Sequence, residues 1–434
     1  MASLIAWLDS TPEEQKAARE LIALFNEQES RDELGIGPIR DAFSDLLFPG
    51  TSVLQTRARY FLFVPWCYTT GDAARLVGKA HRDRGRFQER QLVKALQASP
   101  AADRTGLIGA RVGVNVQNLP SDLYWNGMRT YEIREHAGGI GTLKASLSAA
   151  EGTTELTDRI VSEWNATLPP APTGLPEAVP DGFEMTYAEA SWLRERMSVA
   201  ARGTLLARLL DRDAEIASDA VAPWDAASPA DFEALDHARL FSSVMQGAAL
   251  LYNLIISERS NLLGFDRDVD PVELYTARVA EWTSEFLEPS RDELREWDLP
   301  RMWQLVRSSN PNIHLNTVRF VEDWVAGLRR NDHPMTDRAL RNLVEMRERR
   351  KGTQSRLKND KLLAAWSGAS GTRQLNYRWT SVRVIASERE TCSRSAMASR
   401  AANSSVVSRT ATTCMGSAPR PGRPRPRRFS FSTS

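Results

Sequence analysis

Leucine is absent from residue 380 onward, and this break limits the possible fold more than any motif does. The 55 residues 380–434 contain no Leu, Asp, Lys, Tyr or Trp, but they contain 10 Arg and 18 Ser or Thr. The residues before them are rich in Leu and carry all 12 Trp. Because buried apolar side chains offset chain entropy, the pattern predicts a folded body at 1–379 and a disordered basic tail at 380–434.

Two interpretations of the tail are open. One is a basic arm, ending in the Arg- and Pro-rich stretch 419–428, that binds nucleic acid or acidic lipid. The other is out-of-frame translation, because a GC-rich gene read in the wrong frame yields Arg, Ser, Pro and Thr and loses Lys, Asp and Leu. The abrupt change after Tyr377-Arg378-Trp379 favours the second interpretation. It predicts that a final helix is missing and that apolar surface is exposed near Trp366 and Trp379.

The charge also differs between the two parts. The whole chain has 56 Lys or Arg against 55 Asp or Glu, and the tail has 10 Arg against Glu388 and Glu390, so the body carries a net charge of −7. An acidic body gives nucleic acid no global attraction. Binding of nucleic acid would therefore need a local basic patch.

The sequence favours a cytoplasmic protein without a membrane partner. The first nine residues lack a basic region, so a signal peptide is not expected. The longest uncharged stretch, 240–257, is marginal in length for a membrane span and contains polar residues, so a buried core helix is expected there. Cys67 is the one cysteine of the body, which excludes a disulfide within it and is typical of a reducing compartment.

Helical periodicity dominates the body and predicts a mainly α, multi-helical fold. An alternating stretch near 107–118 is the best candidate for a small hairpin or wing. Five prolines between 166 and 182 predict a linker, with an N-terminal helical domain at 1–165 and a C-terminal helical domain at 183–379. Helices are predicted near 10–29, 39–47, 71–98, 122–134, 186–201, 203–213, 229–262, 271–287, 290–308, 315–329 and 336–352.

A helix-turn-helix-like unit is one interpretation of residues 103–148. In that case the helix over 122–134 would turn Arg129 and Arg134 toward DNA. The other interpretation is an ordinary packed helix, which the sequence favours.

The sequence contains no recognisable catalytic motif, so it favours a protein without enzymatic activity, cofactor or metal. Phosphate-loop, nucleophile-elbow and zinc-protease patterns are absent. The five histidines, at 81, 136, 237, 314 and 333, lack the spacing of metal ligands. A metal-dependent nuclease stays open as an alternative, because its acids can be dispersed along the chain.

Arg57 and Arg59 precede nine consecutive aromatic or apolar residues, Tyr60 to Tyr68. Such a run predicts a core helix or a buried strand. An arginine beside a buried segment needs a carboxylate or a ligand phosphate as partner. We therefore expect Arg57 and Arg59 to form structural ion pairs first and an anion site second.

The stretch Arg347 to Lys361, the basic segment, has seven cations against two acids. Its backbone amides and hydroxyls could also reach a phosphate. A solvated helix end explains the same charges without a ligand, because cations are favoured at helix C-termini. The anion or nucleic-acid-binding candidates here are Arg347, Arg349, Arg350, Lys351, Arg356 and Lys358.

Several stretches resemble a bacterial family of unknown function. They are Asp45–Gly50, Arg57–Trp66, Leu119–Gly127, Trp366–Gly371 and Tyr377–Trp379. The likeness covers nearly all of residues 1 to 379 and stops at the tail. The resemblance implies a helix that opens at Tyr377-Arg378-Trp379 and a mobile-element or anti-phage gene context. It implies no activity and no catalytic residues.

Three functional hypotheses follow. The preferred one is a non-catalytic protein that associates with nucleic acid or forms a complex, using the basic segment. The second is a nuclease-like enzyme with converging carboxylates. The third is a helical scaffold for a partner protein, which would present a broad apolar surface.

Overall fold

The computed structural model describes residues 32–388, with gaps at 74–75, 77, 100–103, 136–162, 212–215, 218, 229–231, 266–269 and 332. Within these residues the chain is mainly helical, as predicted, and its one extended pairing is an isolated antiparallel bridge between Arg134 and Trp164. The predicted first helix near 10–29 and residues 389–434 of the tail lie outside the described residues.

The helices follow the predicted apolar periodicity, with shifted ends. They are α1 Gly37–Leu47, α2 Tyr60–Ala73, α3 Gly78–Ala98, α4 Pro120–Thr130, α5 Tyr187–Ala200, α6 Leu205–Leu209, α7 Glu233–Leu262, α8 Pro271–Trp282, α9 Arg291–Glu296, α10 Leu299–Ser309, α11 Leu315–Arg330, α12 Arg338–Arg349, α13 Asp360–Ala364 and α14, over 379–388. A π-helical turn, Thr283–Leu287, extends α8.

Two details of the predicted elements are wrong. The predicted helix over 290–308 is two helices, because Trp297 leaves the helical conformation and the Asp298 side chain accepts a hydrogen bond from the Arg301 amide to start α10. The predicted hairpin near 107–118 is a set of turns with a short 3-10 helix, Gly113–Asn115.

Helix α7 is the central core helix. It is long and apolar enough to cross a membrane, but 89% of its most apolar window is buried inside the protein. Its polar residues bind the extended chain that follows α13. The Asn253 side chain donates to the Ser370 carbonyl at 2.7 Å and accepts from the Ser370 amide at 3.0 Å. Ser242 makes the same pair of bonds with Leu375, at 3.1 and 2.8 Å. The prediction of a buried core helix is confirmed.

Helix α14 corrects the predicted start of the tail. It begins at Trp379, buries Val382 and Ile385, and ends with Glu388, which accepts a hydrogen bond from the Ala58 amide at 2.7 Å. Trp366, like Trp379, is only 2% exposed or less, so the predicted apolar exposure is not observed. The helix expected after Tyr377 is therefore present through residue 388, and the ordered chain passes the composition break.

The proline-rich segment 166–182 packs against residues from the first part of the chain. The Trp66 indole donates to the Pro169 carbonyl at 2.8 Å, and Arg59 donates to the Gly182 carbonyl at 2.9 Å. One hydrophobic cluster contains residues from both sides of this segment. The division into two domains stays a prediction.

Candidate nucleic-acid interface

The two arginines before α2 form structural ion pairs. Arg59 is buried, and its Nη2 lies 3.1 Å from Glu189 Oε1 on α5. Arg57 pairs with Glu388 on α14, and its guanidinium lies 4.5 Å from the centroid of the Phe183 ring. The first of the two expected roles is therefore observed, because a carboxylate of the protein faces each guanidinium.

Arg347, the first cation of the basic segment, points into the protein. Its guanidinium donates to the carbonyl of Leu34 at 2.7 Å, the carbonyl of Gly35 at 3.3 Å and the hydroxyl of Thr317 at 2.9 Å. It also lies over the Phe320 ring, 5.2 Å from the centroid. Burial lowers the pKa of Arg347, although the group stays charged. Through these bonds Arg347, on α12, connects the residues that precede α1 with helix α11.

Lys351 and Arg356 also point inward, and they share one carboxylate. Glu33 lies 2.7 Å from Lys351 Nζ and 2.8 Å from Arg356 Nη1. Lys351 lies 2.6 Å from Glu348, and Arg356 donates to the Tyr252 hydroxyl at 2.6 Å. Burial raises the pKa of Glu33, but Lys351 and Arg356 outweigh it and hold that pKa below its ordinary value. Both cations are neutralised within the protein.

The other three candidates of the basic segment, Arg349, Arg350 and Lys358, are exposed. Arg349 lies 3.5 Å from Glu345 one turn earlier, a surface pair of small energy. The outer surface of the basic segment therefore carries much less charge than its sequence suggests.

Helix α4 is packed as an ordinary helix. Tyr124 and Trp125 are buried, and Tyr124 donates a hydrogen bond to the Arg57 carbonyl at 2.9 Å. Arg129 is exposed, but Arg134 lies beyond the helix end and is buried, with its guanidinium 4.6 Å from the Trp125 ring centroid. The predicted DNA-facing side of this helix thus retains one exposed arginine. The rest of the predicted helix-turn-helix unit, beyond residue 135, lies outside the described residues.

A second basic surface lies on α3 and the following loop. Together, Gly78–Ala98 and 104–117 contain eight cations and two acids, and one of these acids, Glu89, is buried. Phe87 lies among the cations with 50% of its side chain exposed, and Arg84 lies 5.7 Å from its ring centroid. We call this surface the α3 ridge and define it as Arg84, Phe87, Arg90 and Lys94 with Arg104 and Arg111.

The buried side of α3 positions this ridge. Gly85 lies against Tyr68 of α2, where an added Cβ would be 2.5 Å from the Tyr68 ring, so the glycine lets α2 and α3 approach. Glu89 accepts hydrogen bonds from the amide and hydroxyl of Ser121, at 2.6 and 2.7 Å, at the start of α4. Burial raises the pKa of Glu89 to about 7, although the bonds from Ser121 oppose that rise. These contacts join three helices and turn the opposite face of α3 to solvent.

The loop 104–117 is held against the last turns of α3. The Gln97 side-chain amide donates to the carbonyl oxygens of Gly109 and Ala110, both at 3.2 Å. Arg104 donates to the Gln97 carbonyl at 2.8 Å, where a cation is favoured by the helix dipole. The loop therefore lies against the end of α3, with Arg104 and Arg111 exposed.

Two of the histidines make structural hydrogen bonds. His237 accepts a hydrogen bond from the Trp297 indole at 2.9 Å, and His314 caps α11 by accepting from the Asn316 amide at 3.1 Å. His136 lies outside the described residues. Within the described ranges, no group of three or more His, Cys, Asp or Glu is placed to hold a metal ion.

The α3 ridge was not predicted from the sequence, because charged residues on a helix usually mark only its solvent-exposed face. The signal that points to it is spacing: Arg84, Phe87 and Lys94 recur at intervals of three and seven residues, and the acid Glu89 lies on the opposite face. The basic segment, by contrast, was predicted as a binding site from its excess of cations alone. Composition does not distinguish a cation that points outward from one that pairs inside.

Comparison with known proteins places the chain in a family without supplying a function. No curated protein and no solved structure matches it. A family model described as a family of unknown function, DUF6361, matches residues 2–390. This match includes α14, so the resemblance extends beyond residue 379, where the sequence had placed its end. The chain therefore belongs to the family of unknown function DUF6361.

Proposed function

We propose that this protein is a non-catalytic nucleic-acid-binding protein that holds the phosphate backbone on the α3 ridge. The observation that carries the proposal is the distribution of charge. The body has a net charge of −7, yet α3 and the adjoining loop combine eight cations with one exposed acid, Asp83, and a second exposed acid, Asp122 at the start of α4, pairs with Arg86. Local basic surfaces of this kind bind phosphates by releasing counterions.

The basic segment supports binding less well than the α3 ridge. Arg347, Lys351 and Arg356 are engaged by carbonyl, hydroxyl and carboxylate oxygens of the protein itself. A phosphate would have to displace these partners and leave Glu33 without them. On the α3 ridge, Arg84 and Lys94 are exposed, and Arg90 is half-buried with a hydrogen bond to the Arg86 carbonyl at 3.3 Å.

The test is the binding of a fluorescent oligonucleotide at about 50 and 200 mM salt. We expect the triple variant Arg84→Ala, Arg90→Ala, Lys94→Ala to weaken binding on the order of 100-fold, since each lost phosphate contact lowers the salt slope by about 0.7 to 0.9. Thermal unfolding should stay close to that of the unchanged protein, because these side chains lie on the surface.

The matched control is the triple variant Arg349→Ala, Arg350→Ala, Lys358→Ala. It removes the same charge from the exposed part of the basic segment, so net-charge effects are equal in the two variants. Retained affinity in this control supports the α3 ridge. Loss of affinity in the control alone would reassign the site to the basic segment, and no oligonucleotide binding by the unchanged protein would end the proposal.

The nuclease and scaffold alternatives stay predictions, and the described residues give the nuclease no converging carboxylates. The bacterial defence or mobile-element context belongs to the proposal as well. Gene neighbours in several genomes test it, and neighbours with no link to phage or mobile elements would count against it.

A further inference from the structure

The α3 ridge carries an aromatic ring among its cations, and this ring bears on the kind of nucleic acid bound. Phe87 is 50% exposed, whereas Phe43, Phe61 and Phe63 are fully buried. Burying a phenylalanine is favourable by roughly 2 kcal/mol, so a half-exposed ring in the middle of a helix contributes little to the fold. Arg84 lies over this ring.

The cations are spaced around the ring along the helix. At 1.5 Å per residue, Arg84 lies about 4.5 Å before Phe87 along the axis, and Lys94 about 10 Å after it. Arg90 is one turn from Phe87 on a neighbouring line of the same face. On the loop side, Val112 and Val114 are 41% and 38% exposed, which adds apolar surface beside the helix. Charge and apolar area therefore alternate along one exposed surface.

We propose that the α3 ridge binds single-stranded nucleic acid, with an unpaired base stacked on Phe87 and the flanking phosphates on Arg84, Arg90 and Lys94; this rests on the proposed function. A phenyl ring has no donor or acceptor with which to read base edges in a duplex groove. It stacks on the face of an unpaired base, and that contact tolerates any base.

The position of α3 also disfavours a duplex. A helix that enters the major groove must project from the protein, because the groove is only about 12 Å wide. Helix α3 instead has one face buried against the rest of the protein along its length, with buried residues from His81 to Leu96. Its exposed side offers a surface along which a flexible strand can lie.

The experiment measures the affinity of the full chain for three labelled probes of about 12 nucleotides: a thymidine strand, a strand of abasic sites and a duplex. The abasic strand keeps the phosphates and lacks the bases. We expect the unchanged protein to prefer the thymidine strand to the abasic strand by at least fivefold. Phe87→Ala should abolish this preference and leave duplex binding within about twofold.

Two further variants separate stacking from other effects. Phe87→Trp keeps an aromatic ring and should retain the preference, whereas Phe87→Leu keeps apolar area without a ring and should lose it. Tyr187→Ala, at a residue 46% exposed on α5, is the control for removal of a surface aromatic and should change nothing.

The outcomes distinguish this inference from the proposed function. Equal affinity for the thymidine and abasic strands overturns the inference and leaves the proposal of phosphate binding in place. The same holds if Phe87→Ala lowers the affinity for the thymidine strand and for the duplex equally. Binding to none of the three probes overturns both. Vesicles that contain phosphatidylserine are a fourth probe, and binding to them alone would reassign the α3 ridge to an anionic lipid surface and also overturn both.

Discussion

Glu89 is a buried carboxyl group in the contact between α2, α3 and α4. It is fully buried, it receives two hydrogen bonds from Ser121, and the Tyr68 hydroxyl lies 3.5 Å away. Arg86 and Asp122 face the same site and pair with each other at 2.7 Å. Because the charge is costly to bury, the pKa of Glu89 is raised to about 7.

This raised pKa links the stability of the fold to pH. Between pH 4.5, the ordinary pKa of the group, and about 7, the folded state keeps a proton that the unfolded state has released. The free energy of unfolding therefore falls as pH rises through this window, by about 3 kcal/mol in total from this group. The stabilising contribution is complete only below the unfolded pKa.

The variant Glu89→Gln should remove this dependence, because the amide keeps the size and an acceptor for Ser121 but does not titrate. We expect the unchanged protein to lose about 2 kcal/mol more than the variant between pH 5.5 and 8.5, measured by urea unfolding at both pH values. Glu281→Gln, on the exposed side of α8, should match the unchanged protein. Parallel pH profiles for the unchanged protein and Glu89→Gln would contradict the assignment.

At the scale of elements, polar side chains of α7 hold the extended chain 367–375 by hydrogen bonds to its backbone. Asn253 and Ser242 each donate to a carbonyl and accept from the amide of the same residue, which satisfies backbone groups of a segment without regular structure. The Tyr275 hydroxyl adds a bond to the Gly368 carbonyl at 2.7 Å. The polar residues that weakened a membrane-span interpretation are therefore the ones that organise the core.

Asn253→Ala should destabilise the protein by about 3 kcal/mol, because it leaves the buried amide and carbonyl of Ser370 without partners. Chemical unfolding measures the effect. Asn342→Ala, an exposed position on α12, is the matched control and should change the unfolding free energy by less than about 0.5 kcal/mol. Equal small effects of the two variants would mean that Asn253 contributes nothing specific.

At the scale of the whole molecule, α14 joins the end of the described chain to the residues just before α2. Trp379, Val382 and Ile385 are buried, and Glu388 pairs with Arg57 and caps the backbone before α2. The contact connects residues more than three hundred positions apart. The family match ends at residue 390, two residues after this cap.

Two truncations test where the folded protein ends. A chain that stops after residue 390 should unfold within about 0.5 kcal/mol of the full chain, since the family match ends there. A chain that stops after residue 378 loses three large buried side chains, worth roughly 5 kcal/mol or more, and should be unfolded or aggregated. If both truncations behave alike, α14 is not part of the cooperative fold.

The sequence by itself determined the helical class and the approximate positions of most helices, because apolar periodicity acts within a few residues. Only the tertiary structure decided that the side chains of Arg347, Lys351 and Arg356 point into the protein and bind its own oxygen atoms. Lys351 and Arg356 pair with Glu33, and Arg347 bonds to the backbone beside it, all more than three hundred residues away.

Tertiary contacts also decided where the fold ends and which basic surface remains exposed. Val382 and Ile385 are too few to signal a helix in a stretch without leucine, yet both are buried in the folded protein, where Glu388 of the same helix bonds to the chain before α2. The α3 ridge is exposed because Tyr68 and Ser121 take the other face of the helix. Local patterns say what a segment prefers, whereas distant partners decide which of its charges stay on the surface.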